Sequence, residues 1–265
     1  MHRLVRSVAI LLALGLQTQT SGAAGARSTG TTRRGTAAKK IAVHRPAKGH
    51  FRATFPVDYE LAPAYRYAQL EPGACYEELQ KRELPAERQE STWPGLSAPV
   101  RLKGALNGVT FRTDILERES SPYELFDCRL VLALHDFTRL LRAEGVHQVV
   151  MSSAYRPPPK SIELGMQGKR HSGGLAIDMH RFQLDDGRTI KVDRDFHGRI
   201  GAPVCGRSAP RPFPDSEDAR LLRRLVCGAA EQRLFQSILT PNFDRPHHNH
   251  FHVELTLGVR WFSIS

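Results

Sequence analysis

The chain has 265 residues, 40% of them hydrophobic and 25% charged, which is enough to bury one substantial core or two small ones and excludes a fibrous or wholly disordered protein. Its formal charge of +11 is unevenly placed: residues 1–55 hold ten of the 38 Lys and Arg and none of the 27 Asp and Glu, leaving 28 basic against 27 acidic residues beyond. A nearly neutral remainder excludes a nucleic-acid surface as the reason for the basicity, and no nucleic-acid partner is expected.

Residues 1–26 have the order of a secretory signal peptide: basic Arg3 and Arg6, the apolar run Val8 to Leu16, then small residues ending at Ala26. Nine apolar residues are too few to span a bilayer, so cleavage and export to the periplasm or the extracellular space are expected. Residues 27–55 are rich in Gly, Thr, Ala and Arg and have few large apolar groups to offset ordering entropy. They read as a basic disordered linker, either a solvated spacer or a peripheral contact with an anionic wall or membrane surface. The rest, 56–265, reads as one domain. Cys75, Cys128, Cys205 and Cys227 fit an oxidising compartment, and none lies in a Cys-x-x-Cys pair, which argues against a thiolate metal site. Of the three pairings, Cys75 with Cys128 and Cys205 with Cys227 is expected, because each joins neighbouring segments.

Leu61 to Leu84 reads as helical, and Val100 to Arg112 as a hairpin around Asn107-Gly108. Ser121-Pro122-Tyr123-Glu124 has the form of a helix start, followed by Leu125, Leu130, Leu134, Phe137 and Leu141 up to Gly145, an amphipathic helix of about five turns. Val146 to Met151 is a short apolar strand that runs into Arg156. From Arg170 the chain reads as loop and then strand, since Leu175, Ile177 and Met179 alternate with Ala176, Asp178 and His180; Asp185-Asp186-Gly187 then turns it into a second hairpin. Ser216 to Cys227 is helical, and Leu234–Leu239 and His250–Leu257 are strands. Helices early and antiparallel-looking strands late predict an α+β domain.

The stretch His247-His248-Asn249-His250-Phe251-His252-Val253-Glu254 carries the densest chemistry. Strand periodicity sends His250, His252 and Glu254 to one face and Phe251, Val253 and Leu255 to the other. His247 and His248, after Asp244-Arg245-Pro246, fall in the preceding turn. A lone His-x-His is a weak signal, but His171, Gly173, Gly174 and Asp178 add a close turn and a carboxylate on an otherwise apolar strand, which needs a cationic partner. His171, Asp178 and a histidine of the last strand offer two nitrogens and one oxygen, the ligand set of a catalytic zinc with an open fourth position. Zinc so held polarises carbonyls and lowers the pKa of water. His180 shares the face of Asp178, Glu254 can either hold a ligand imidazole or stay solvated, and Arg156 can face a cleft or pair with Asp178.

Ser153-Ala154-Tyr155-Arg156-Pro157, then Gly174-Leu-Ala-Ile-Asp-Met-His-Arg-Phe182, Asp186-Gly187, Cys227, Ile238-Leu-Thr-Pro241 and His250-Phe251-His252 together resemble the extensin-like C-terminal domain of bacterial proteins over roughly 70–265. More broadly the chain is similar to the zinc peptidases of the D-Ala-D-Ala carboxypeptidase and Hedgehog fold superfamily. The resemblance implies a small antiparallel sheet with flanking helices, Zn2+ on His171, Asp178 and His252, and catalytic roles for His250 (acid/base) and Arg156 (substrate or oxyanion). It implies an exported hydrolase of peptidoglycan or other cell-wall peptides, or, as the alternative, a non-catalytic zinc-containing wall-binding module. Many relatives carry a general-base Glu three residues before the last ligand; this chain has Asn249 there.

Overall fold

The structure, a computed structural model, describes residues 53–160, 162–163 and 166–265. The expected signal peptide and all but the end of the expected linker lie outside the described residues. In chain order the elements are β1 (Ala53–Thr54), α1 (Pro63–Ala68), α2 (Pro72–Lys81), β2 (Ala86–Arg88), β3 (Pro99–Leu102), β4 (Thr110–Arg112), β5 (Leu125–Asp127) and α3 (Cys128–Ala143). They continue as β6 (Val146–Met151), β7 (Ala176–Leu184), β8 (Thr189–Lys191), α4 (Val192–Asp195), α5 (Glu217–Glu231), β9 (Ser237–Leu239), β10 (Phe251–Glu254) and β11 (Phe262–Ile264).

The fold is mixed α and β, as expected, but the main sheet is neither small nor purely antiparallel. It has eight strands in the order β1-β11-β9-β10-β7-β6-β4, with β8 also on β7, and a separate sheet runs β2-β3-β5. Two of its pairs, β4 with β6 and β9 with β11, are parallel. The first is possible because α3 carries the chain from one end of the sheet back to the other between those strands, as parallel pairing requires. Nine-residue β7 is the spine: β10 pairs with its first half and β8 with its second, while β6 covers the opposite edge.

Turn chemistry explains where expectation and structure part. Asn107 and Gly108 do adopt positive φ, and Leu106 and Val109 bridge across them, but the strands on either side leave for different sheets. Ser121 does accept from the Tyr123 amide, yet the helix it caps is a single 3-10 turn, Pro122–Glu124. The chain then extends through β5, and Asp127 caps the long helix instead, its Oδ1 accepting the Arg129 amide at 3.0 Å. A β-strand fits between because Leu125, Phe126 and Asp127 are all buried, which a one-sided helical stripe would not achieve. The β7–β8 hairpin, and α5 with Ser216 as its cap, form where expected.

The core lies between the sheet and helices α1, α2, α3 and α5, with Leu130, Leu134, Phe137 and Leu141 of α3 buried in it. Both expected disulfides are present, Cys75–Cys128 and Cys205–Cys227, with Cα separations of 6.1 and 5.6 Å. Closing 53 residues with the first removes about 4 kcal/mol of chain entropy from the unfolded state. Beside it, buried Asp136 of α3 ties the first two helices down: it accepts from Tyr67 of α1, from Arg82 after α2 at 3.4 Å, and from Arg139 at 2.6 Å. Burial opposes its charge, but the His135 ring nitrogen 3.8 Å away and hydrogen bonds from Tyr67 and Arg139 outweigh that and hold its pKa at about 2. Burial and the same carboxylate push the Tyr67 phenol up to about 12.

A folded-state pKa below the unfolded one adds stability above the unfolded value that is lost as pH falls through the folded value. Asp136→Asn should therefore cost about 1 kcal/mol at pH 7, after allowance for solvent screening, and the difference from the parent should vanish between about pH 4 and pH 2 in urea unfolding followed by circular dichroism.

Candidate metal centre

The centre is built on the register of two strands. In the β10–β7 ladder His252 is paired with Asp178, so both side chains leave the same face of the sheet at adjacent positions. Phe251, Val253, Ile177 and Met179 leave the other face and are fully buried in the core. His171 arrives from the turn before β7, a 3-10 segment over Arg170–Gly173 closed by Gly174. Gly174 has φ 62°, and a Cβ there would lie 2.4 Å from Leu96 and 2.8 Å from the Asp127 amide, so this turn admits only glycine. Arg170 also sits at φ 51°, an uncommon conformation for a side-chain-bearing residue, and is held there by an ion pair from its Nε to Glu254 at 3.0 Å.

His171, Asp178 and His252 are all buried, and one ligand atom from each lies within 4.8 Å of the other two. His171 Nε2 is 3.2 Å from Asp178 Oδ1 and 3.2 Å from His252 Nδ1, which is itself 2.9 Å from the same carboxylate oxygen. The remaining nitrogens are spoken for. His171 Nδ1–H donates to the Ala154 carbonyl at 2.8 Å, and His252 Nε2–H donates to Glu254 Oε2 at 2.8 Å. Each ring therefore turns a lone pair toward the carboxylate. Three acceptor atoms converging in a buried space repel one another unless a cation sits among them, and this donor set could hold a metal ion.

The electrostatics agree with that chemistry. Burial opposes the charge of Asp178, but the facing nitrogens of His171 and His252, which donate to it when they too carry a proton, outweigh that burial and hold its carboxyl far below the usual range; a bound cation would take the place of those protons. Burial likewise opposes charge on His252, while Asp178 and then Glu254 raise its pKa; Glu254 is held low against its own burial by His252. Arg156 donates from Nη2 to Asp178 Oδ2 at 2.9 Å, which leaves Oδ1 as the oxygen facing both imidazoles. Half of its side chain is exposed.

His250, one turn of the pleat away, donates from Nδ1 to Asn249 Oδ1 at 2.8 Å, so its Nε2 lone pair points inward, 3.5 Å from Asp178 Oδ1. Burial pushes its pKa down to about 4, which leaves it uncharged at neutral pH. The Asn249 carbonyl accepts from His180 Nδ1 at 3.1 Å, so one asparagine orients two rings. His248 is exposed and, among the described residues, its ring bonds its own turn through the Arg245 carbonyl. His247 begins in that turn, hydrogen-bonded to Asp244, but its ring lies 5.1 Å from that of His250 and 5.9 Å from that of His252. Placing it in the turn alone was incomplete: it walls the centre. Nothing in strand alternation reaches a residue before the strand, and the Ala154 carbonyl, as backbone, has no sequence signal.

Behind His171 stands a second buried assembly. Arg129 forms a two-pronged pair with Asp127 at 2.7 Å and also donates to Gln167 Oε1 at 2.6 Å; Gln167 Nε2 donates to the carbonyls of Gly95, Gly168 and Gly173. This clamps the end of the proline-rich lead-in to the His171 turn.

Because Glu254 sets the ring of His252, Glu254→Gln should weaken metal affinity 10- to 100-fold in a chelator competition titration with the fold unchanged by circular dichroism. Unaltered affinity would remove Glu254 from the support of the centre.

No curated protein and no solved structure matches the chain. Over residues 73–261, which contain both disulfides and every residue of the centre, it matches the family described as extensin-like protein C-terminus, and the chain belongs to that family.

Proposed function

We propose that the protein is an exported zinc-dependent hydrolase of cell-wall peptide bonds, of the general kind found in the D-Ala-D-Ala carboxypeptidase and Hedgehog fold superfamily. The observation that carries this reading is the convergence of His171 Nε2, His252 Nδ1 and Asp178 Oδ1, with each imidazole set by a separate partner and His250 Nε2 beside them. Two nitrogens and one oxygen match a zinc site that keeps a position open for chemistry. When bound, the metal supplies Lewis acidity, polarising a peptide carbonyl and acidifying water.

The chain's own groups divide the remaining work. His250 holds its proton on Nδ1 against Asn249 and accepts a second at Nε2, so it can take the proton of an attacking water and pass it to the leaving amine. Arg156 spends one N–H on Asp178 and turns the rest of its fork outward, where it can hold a substrate oxygen. The two disulfides fit an oxidising compartment, which supports the periplasm or the extracellular space as its place of work. Among the described residues no helix is long and apolar enough to cross a membrane.

One observation favours a second reading, a non-catalytic zinc-containing module that binds the wall. Asn249 stands where many relatives carry a general-base Glu, and its carboxamide orients the His250 ring without being able to take a proton.

Incubation with purified muropeptides followed by mass spectrometry separates the two. The hydrolase reading expects one zinc per chain and defined cleavage products; in His250→Ala the zinc stays and kcat falls roughly 10²- to 10⁴-fold. In His171→Ala the metal itself is lost. Full zinc occupancy with no product from any muropeptide, together with retention on isolated wall sacculi, would leave only the binding module.

A further inference from the structure

Beside the centre lies a cavity of about 510 Å³ that the proposed chemistry does not use. It begins one strand away from the ligands: Leu239 of β9, paired with His252 across the β9–β10 ladder, lines it. Adjacent strands are about 4.8 Å apart, so the cavity wall and the ligand imidazole are neighbours. Glu254 and His247, already in contact with the centre, form the boundary between the two spaces.

Its roof follows from topology. The chain leaves β10 and must cross beyond β9 to enter β11, because β9 lies between those strands in the sheet. That crossing, residues 255–261, brings Leu257 and Val259 over the cavity, where they join Leu239 in an apolar lining. At the rim the lead-in to His171 contributes Lys169 and Arg170. Arg170 is paired with Glu254, whereas Lys169 is exposed and forms no ion pair among the described residues.

From this geometry we infer that the cleft is the substrate's side-chain pocket, and that it takes a peptide bearing a long aliphatic or aromatic side chain next to a carboxylate. The inference rests on the hydrolase reading for the word substrate, but the pocket's ligand chemistry stands independently of cleavage. An alanine methyl would leave nearly all of the space unfilled, while a Phe- or Leu-sized group would remove its apolar surface from water there. Lys169 supplies the charge complement to the carboxylate without disturbing the Arg170–Glu254 pair.

The probe is 8-anilinonaphthalene-1-sulfonate, an aromatic anion of the matching chemistry, titrated by fluorescence into the zinc-loaded protein. One saturable site is expected, weakened at least tenfold by Leu257→Asp, which places a charge under the roof, and by Lys169→Glu, which reverses the rim at an exposed position where folding is not at risk. Zinc stoichiometry should be unchanged in both. Acetyl-Ala-Phe should displace the probe at a concentration at least tenfold lower than acetyl-Ala-Ala. No saturable binding, equal binding by the parent and Lys169→Glu, or equal displacement by the two peptides would each overturn the assignment. If those occur while muropeptides are still cleaved, the pocket fails and the hydrolase reading stands; if the probe behaves as expected while nothing is cleaved, the hydrolase reading fails and the pocket stands.

Discussion

The register of β10 against β7 is the constraint on which the centre depends. Pairing His252 with Asp178 puts a nitrogen and an oxygen ligand side by side on one face and Phe251, Val253, Ile177 and Met179 in the core on the other. A slip of one residue would send the histidine into the core and the phenylalanine into the site. The two requirements enforce each other: core packing fixes the register, and the register creates the ligand pair. The third ligand must then come to that pair, and it does so through a turn that only Gly174 can close.

Around this ladder the molecule has assembled orienting groups from widely separated parts of the chain. The Ala154 carbonyl comes from the end of the β6 segment, Glu254 from the end of β10, Arg156 from the loop after Tyr155, and Asn249 from the turn before β10. The Arg129–Asp127–Gln167 assembly supports the His171 turn from behind, and it sits at the start of α3, next to the Cys75–Cys128 disulfide. Helix packing, disulfide and the candidate metal centre are thereby joined through a few residues of contact. A β-bulge lies here too: in the β6–β7 ladder the pairing skips from Arg181 to Met179, leaving His180 unpaired on that side and free to reach the Asn249 carbonyl.

Features that depend on period or on one residue's own chemistry were legible in the sequence. Strand alternation separated His252 and Glu254 from Phe251 and Val253, Ser216 marked the start of α5, and proximity along the chain sufficed for both disulfides. Features that depend on where a neighbouring element goes were not. Asn107-Gly108 makes its turn, but which strands continue from it is decided by β6 on one side and β2 with β5 on the other. Ser121-Pro122 has every mark of a helix cap, yet burial of Leu125 and Phe126 on both sides overrode it. The sheet was larger than its individual strands suggested because several are only three residues long and gain stability from partners distant in sequence. At the centre, the pairing of Arg170 with Glu254 and the approach of His247 are products of that packing, which alternation within one strand does not encode.

The arginines about the centre have a further consequence. Asp178 and Glu254 each carry a negative charge, and each meets one guanidinium, Arg156 for the first and Arg170 for the second. With uncharged imidazoles the ring of ligands and their immediate partners is formally neutral. The attraction for a dication at this candidate site would thus be mostly local, through lone pairs aimed at one point, since among the described residues the two nearest carboxylates are already paired with arginines. A neutral cage around a doubly charged ion projects a positive field into the space where the next oxygen would approach. Were an ion held at this candidate site, the two arginines would leave its charge available to whatever binds beside it.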